Sequence, residues 1–151
     1  MTHPWLASYD PRVSFETDLN LRPVGALMDE AGKTYKNRPA FDFLGKKWTW
    51  GEISTMTDTA AAALQDMGIG RGDRVGLFLP NSPLFLIAYY AVMKTGATAV
   101  HYNPLYARHE LINQINDSGT KTMISMNLKV LCDPLLPLLE ETGLERVILS
   151  D

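Results

Sequence analysis

The sequence predicts an α/β domain built on a parallel sheet, preceded by an N-terminal arm, a helix and a β-hairpin. Three observations carry this expectation. From residue 74 to residue 149, four short apolar runs alternate with segments of helical periodicity, a pattern that gives right-handed βαβ crossovers and a parallel sheet. Turn-forming residues fall in the gaps, at Gly68-Ile69-Gly70, Asn81-Ser82-Pro83, Asn103-Pro104 and Ser118-Gly119. The chain is 151 residues long, 46% hydrophobic and 21% charged, which suffices for one domain with a real core.

Residues 1–22 mix Pro, Trp, Tyr and charge without periodicity and read as an extended arm. Pro23 is pre-set for a first helical position, and Val24, Leu27, Met28, Ala31 and Tyr35 follow at helical spacing as one apolar face. Ala40 to Trp50 reads as a hairpin. Phe41 and Phe43 alternate with Asp42, Trp48 and Trp50 flank Thr49, and Gly45-Lys46 supplies a two-residue turn. Thr49 and Glu52 have capping-box spacing. They start a helix whose buried face is Ile53, Met56, Ala60, Ala63, Leu64 and Met67, and which Gly68 and Gly70 end.

Four core strands are then expected at 74–79, 97–102, 122–125 and 146–149. A helix opens at Asn81-Ser82-Pro83 and runs to about Thr95. A second spans Arg108 to Asp117, with Leu111, Ile112 and Ile115 buried. A third spans Leu128 to Thr142, and Pro134 and Pro137 break or kink it. The chain thus divides into the arm (1–22), helix plus hairpin (23–50) and an α/β core (51–151).

Charge narrows the function. The 14 Lys+Arg against 17 Asp+Glu leave a net −3, which argues against a nucleic-acid-binding module. The single Cys132 can form neither an internal disulfide nor a zinc site. The segment Met1-Thr2-His3-Pro4-Trp5 lacks the basic n-region and apolar h-region of a signal peptide, so no targeting segment is expected. The longest uncharged apolar run, Pro83 to Met93, is 11 residues, against about 20 for a membrane span. A soluble, cytoplasmic protein is expected. Between residues 75 and 107 the only charged side chain is Lys94. The helix there is apolar all round and so should be buried all round. Either a partner or more chain covers it, or it is a central helix with Tyr89 and Tyr90 at the surface.

The glycines of Gly68-Ile69-Gly70-Arg71-Gly72-Asp73 follow a helix and precede a strand, the reverse of a phosphate loop. Ser118-Gly119-Thr120-Lys121 sits in the same kind of place and reads as a helix end. His3, His101 and His109 have no ligand at metal spacing, and no nucleophile elbow is present. No catalytic or metal-binding residue is therefore assigned. The loops after the first two core strands are the better candidates, because ligands bind beyond the carboxyl ends of parallel strands. They contain Asn81, Ser82 and Asn103 as residues bordering a ligand region. The local alternative is that Asn81 or Ser82 caps a helix and Asn103-Pro104 makes a turn.

Several segments resemble adenylate-forming enzymes. They are Trp48-Thr49-Trp50-Gly51-Glu52-Ile53, Gly72-Asp73-Arg74-Val75-Gly76-Leu77-Phe78-Leu79-Pro80-Asn81-Ser82 and Met93-Lys94-Thr95-Gly96-Ala97. Asn103-Pro104-Leu105-Tyr106, Glu110-Leu111 and Asn116-Asp117-Ser118-Gly119 are most similar to the long-chain fatty-acid–CoA ligase branch, and Pro4-Trp5, Tyr9-Asp10 and Arg38-Pro39-Ala40-Phe41 agree with it. The resemblance runs colinearly along the chain and implies the first part of the large N-terminal domain of such an enzyme. It implies a fatty acid, ATP, Mg²⁺ and CoA as substrates and cofactors of the complete enzyme, with acyl-adenylate as intermediate. It implies no cofactor for this fragment, because the family's phosphate loop, its adenine and Mg²⁺ motifs and its C-terminal lysine are not among these residues. Family members run to about 500 residues or more, several times a single domain. The expectations that follow are inactivity of the fragment alone, self-association of the truncated domain, and a cytoplasmic complete enzyme, with peripheral attachment to the membrane left open. At Ala107-Arg108 the family often has Thr-Pro; losing that cap costs about 0.5–2 kcal/mol unless another group replaces it. Two alternatives stay open: a non-enzymatic α/β binding module, and an acyl-adenylate ligase that serves a carrier protein.

Overall fold

The computed structural model describes residues 3–16, 19 and 21–150. Met1, Thr2, Thr17, Asp18 and Asn20 of the expected arm, and Asp151, lie outside the described residues. The arm is not wholly extended: Pro4, at a first helical position, opens a short 3₁₀ helix over Pro4–Ser8. Helix α1 (Gly25–Thr34) starts two residues after Pro23, which with Val24 forms the preceding turn. Its inward face is Gly25, Met28 and Gly32, a correction to the expected stripe. Met28 is buried, but Val24 and Leu27 are each 41% exposed and Tyr35 also faces water. Close approach decides this. A Cβ on Gly32 would lie 2.4 Å from the Ser54 Cβ, so only glycine lets α1 lie so near the next helix.

Strands β1 (Pro39–Phe43) and β2 (Lys46–Thr49) pair antiparallel, with Phe43 opposite Lys46. The turn is therefore Leu44-Gly45, one residue earlier than expected. Both residues have positive φ, 52° and 81°, the sign pattern of the primed turn that matches strand twist. Helix α2 (Trp50–Asp66) begins with the predicted capping box. The Glu52 N–H donates to Thr49 Oγ1 (3.3 Å), and the Thr49 N–H donates to Glu52 Oε2 (2.7 Å). The Thr49 N–H and hydroxyl, both donating to the carboxylate, hold the Glu52 carboxyl below its ordinary range. The buried stripe of α2 is Ile53, Thr57, Ala61 and Leu64, rotated from the expected face. Thr57 can sit there because its hydroxyl donates to the Ile53 carbonyl at 2.8 Å. Ala63 and Met67 are exposed.

The core is a four-stranded sheet, with β3 (Arg74–Phe78), β4 (Thr98–Tyr102), β5 (Thr122–Met126) and β6 (Arg146–Ser150) in the order β4-β3-β5-β6. Every pairing is parallel, as the alternation predicted. Helix α3 (Pro83–Thr95) packs with α2 on one face, against Val75, Leu77 and Leu79. Helices α4 (Arg108–Ser118), α5 (Lys129–Leu135) and α6 (Leu138–Glu141) cover the other, against Phe78, Tyr102 and Met123. The predicted proline break falls between α5 and α6, with Pro134 inside α5. At Ala107 only the carboxylate half of a capping box survives: the Ala107 N–H donates to Glu110 Oε2 at 2.7 Å, while the Glu110 N–H donates to the Ala107 carbonyl at 3.0 Å.

Two side-chain groups fix the layers. Lys94, whose side chain is 14% exposed, leaves α3 and bonds Asp29 of α1 and Asp58 of α2. Desolvation works against its ammonium, but the two carboxylates outweigh that and raise its pKa. On the other face the Tyr102 ring lies across Gly76, where a Cβ would meet it at 2.9 Å and Met123 Sδ at 2.4 Å. The Tyr102 hydroxyl meets Thr120 Oγ1 (2.9 Å) and Ser118 Oγ (3.1 Å). Burial pushes this phenol above its ordinary range, against those two bonds.

Candidate functional site

In an open parallel sheet a crevice forms where neighbouring strands send their connections to opposite faces. Strand β3 leads into α3 on one face, whereas its neighbours β4 and β5 lead into α4 and α5 on the other. The loops after β3, β4 and β5 diverge over the carboxyl ends of those strands. Ser125 ties the β3–β5 seam at this end by donating to the Phe78 carbonyl at 2.9 Å.

All three residues singled out from sequence lie at this end. Ser82 is buried and caps α3, its Oγ accepting the Phe85 N–H at 3.3 Å, with Pro83 at the first helical position. Asn103 makes a local turn: its Oδ1 accepts the Leu105 N–H at 3.0 Å. Asn81 is exposed on the rim. The local readings thus account for Ser82 and Asn103, and Asn81 is left as an exposed side chain at this end of the sheet. Amides and hydroxyls of this kind hold and orient a polar ligand; they do not exchange protons near neutral pH. Among the described residues no group of three His, Cys, Asp or Glu could hold a metal ion. No helix among them is long and apolar enough to cross a membrane.

The glycine-rich segments behave as the sequence predicted. Gly68 and Gly72 turn the chain from α2 into β3, with the Gly70 N–H held by Asp73 Oδ2 at 2.8 Å. Gly119 ends α4. The sequence reading missed an apolar groove of about 150 Å³ between α2, α3 and the β5–β6 edge, lined by Ala60, Ala63, Met67, Leu84, Ile87 and Ile148. Its signal was present in the unbroken apolar helix. Leu84, Ile87, Tyr89 and Tyr90 are half-buried, so α3 is neither sealed on every side nor fully at the surface.

Residues 28–150 match the family model described as AMP-binding enzyme. A long-chain-fatty-acid–CoA ligase of Bacillus subtilis (strain 168) is 36% identical over 125 residues, 83% of this chain and 22% of that protein. One of Salmonella typhimurium is 31% identical over 152 residues, 99% of this chain and 27% of that protein. The crystal structure of a long-chain-fatty-acid-CoA ligase from Archaeoglobus fulgidus superposes with a TM-score of 0.76 at 28% identity, covering 85% of this chain and 27% of that one. The chain therefore spans about a quarter of the length of the curated relatives it matches.

Proposed function

The chain belongs to the AMP-binding enzyme family, and on that premise we propose that it is the N-terminal part of an ATP-dependent fatty-acid–CoA ligase. The observation that carries this reading is the colinear likeness to long-chain ligases over nearly all of its residues. In the proposed reaction a fatty-acid carboxylate oxygen attacks the α-phosphorus of ATP and pyrophosphate leaves, giving acyl-adenylate. The sulfur of CoA then bonds the acyl carbon, AMP departs with the electron pair, and the thiol proton passes to solvent. The physical need is activation: a carboxylate oxygen is a poor leaving group and AMP a good one.

The residues of this chain have supporting roles in that scheme. The carboxyl ends of β3, β4 and β5 border the ligand region, with Asn81 after β3, Asn103 after β4 and Ser82 holding the start of α3. Adenylyl transfer needs donors and charges placed around phosphates and metal, and the rim offers uncharged groups. The 151 residues alone are therefore inactive, and CoA, ATP and Mg²⁺ are used by the complete enzyme, which is cytoplasmic and peripheral to the membrane. The groove on α2 and α3 makes the isolated chain self-associate.

Pyrophosphate exchange with ATP, Mg²⁺ and a panel of fatty acids tests the reading. The chain alone gives background, and a longer protein that contains it gives fatty-acid-dependent exchange. Exchange by the chain alone that is abolished by Asn81→Ala or Asn103→Ala overturns the claim that the chemistry lies elsewhere. A longer protein that adenylates no fatty acid overturns the ligase assignment.

A further inference from the structure

We propose that the tip of the β1–β2 hairpin docks this protein onto an anionic lipid surface. The inference rests on the peripheral attachment proposed above and assigns a surface to it. Leu44 stands at the tip, 91% exposed, with a φ of 52°. A side chain is strained there, and Asn or Gly would adopt that conformation at lower cost. An apolar residue thus occupies a position that neither buries it nor suits its backbone, which is what insertion into a lipid phase would reward.

The flanks have the complementary chemistry. Residues 33–52 hold five cations, Lys33, Lys36, Arg38, Lys46 and Lys47, against two carboxylates, Asp42 and Glu52, in a chain of net charge −3. Asp42 faces Lys47 at 3.6 Å, and the Glu52 carboxylate is occupied by the Thr49 N–H. Lys46 Nζ lies 4.8 Å from the centre of the Trp48 ring, and the Arg38 guanidinium 5.2 Å from that of Tyr35. Aromatic rings with cationic neighbours suit the headgroup layer, where ring bodies and lysine stems contact acyl chains and charges meet phosphates. An open concavity of about 690 Å³ beside the hairpin, lined by Lys36, Lys46, Lys47 and Trp48 together with the Thr49-bonded Glu52, gives headgroups room. An apolar tip between basic flanks inserts while its cations stay at the phosphates.

Co-sedimentation of the 151-residue chain with vesicles tests this. The chain should bind vesicles of equal parts phosphatidylcholine and phosphatidylglycerol, release in high salt, and ignore pure phosphatidylcholine. Leu44→Asn should weaken binding about tenfold while raising the unfolding temperature, so lost binding cannot be lost fold. Lys46→Gln with Lys47→Gln should weaken it about twentyfold, and Lys129→Gln should leave it unchanged. Failure of the unaltered chain to bind the mixed vesicles overturns attachment through this chain. Binding that survives both hairpin variants overturns the hairpin assignment alone. Equal capture by double-stranded DNA, indifferent to Leu44→Asn, identifies a general polyanion surface and also overturns it. None of these outcomes bears on the ligase assignment, which pyrophosphate exchange decides.

Discussion

The two faces of the parallel sheet are finished to different degrees. On the α4–α5–α6 side Phe78, Leu111, Ile115, Met123, Leu135 and Leu138 are all fully buried by residues of this chain. On the α2–α3 side Ala88, Ala91 and Val92 are buried, but Leu84, Ile87 and Met67 border an open groove. A closed face derives its stability from dispersion and apolar burial among its own residues. An open face needs other devices to hold its helices, and here these are the Lys94 clamp and the Ser82 cap. The contrast also separates stability from assembly: the closed face should set how firmly the sheet folds, and the open one is where the proposed self-association is to be tested.

The largest expected effect lies on the closed face. Phe78→Ala should destabilise the chain by about 3–5 kcal/mol, and Leu84→Ala on the groove by less than half of that, both read from urea unfolding. Equal losses would erase the distinction between the faces. Lys94→Met should cost about 1.5–3 kcal/mol, the range for hydrogen bonds to charged groups, because it leaves Asp29 and Asp58 facing each other. The pKa of Lys94 is raised from 10.5 on folding. Its contribution is therefore complete below that value and is lost as pH rises through the folded one. Tyr102, raised from 10.0, loses stabilisation in the same direction. The difference between the native chain and Lys94→Met should be constant from pH 7 to 9 and narrow above about 10.5. A difference that grows with alkalinity would refute the clamp.

Smaller again, Ser82→Ala should cost about 0.5–2 kcal/mol through the lost cap. If instead stability is untouched and only fatty-acid activation by the longer protein falls, Ser82 belongs to the ligand region. Smallest in energy is Ala63→Glu, which puts a charge into the groove from an exposed helix position and should shift stability by less than about 0.5 kcal/mol. It should nonetheless turn an associated species into a monomer by light scattering at high protein concentration. A native chain that is already monomeric there would show that the open face attracts nothing.

The parallel sheet was legible because short apolar runs alternate with helical segments; the central strands β3 and β5 are buried on both faces, whereas the edge strands β4 and β6 keep exposed residues. Helix orientation was less so. Periodicity counts large apolar residues, whereas Gly25, Gly32 and Thr57 face inward for reasons of approach and local hydrogen bonding. The stripe of Ala60, Ala63 and Met67 was apolar and was read as core, yet it borders the groove. The hairpin register slipped by one because leucine is an improbable occupant of a left-handed turn position. At the candidate site the caps of Ser82 and the turn of Asn103 could be read from spacing. The divergence of the β3 and β5 connections could not, since strand order depends on which runs pair.

The Lys94 clamp also has a kinetic meaning. It joins residues 65 and 36 positions apart along the chain. Closing loops of that length is entropically costly and is compensated only once the intervening helices are in place. Docking of α1 is then expected to be a late event, after the transition state for folding has been crossed. Substituting Lys94 should accordingly speed unfolding and leave the refolding rate almost unchanged, and amides of α1 should exchange with solvent through local opening long before those of β3.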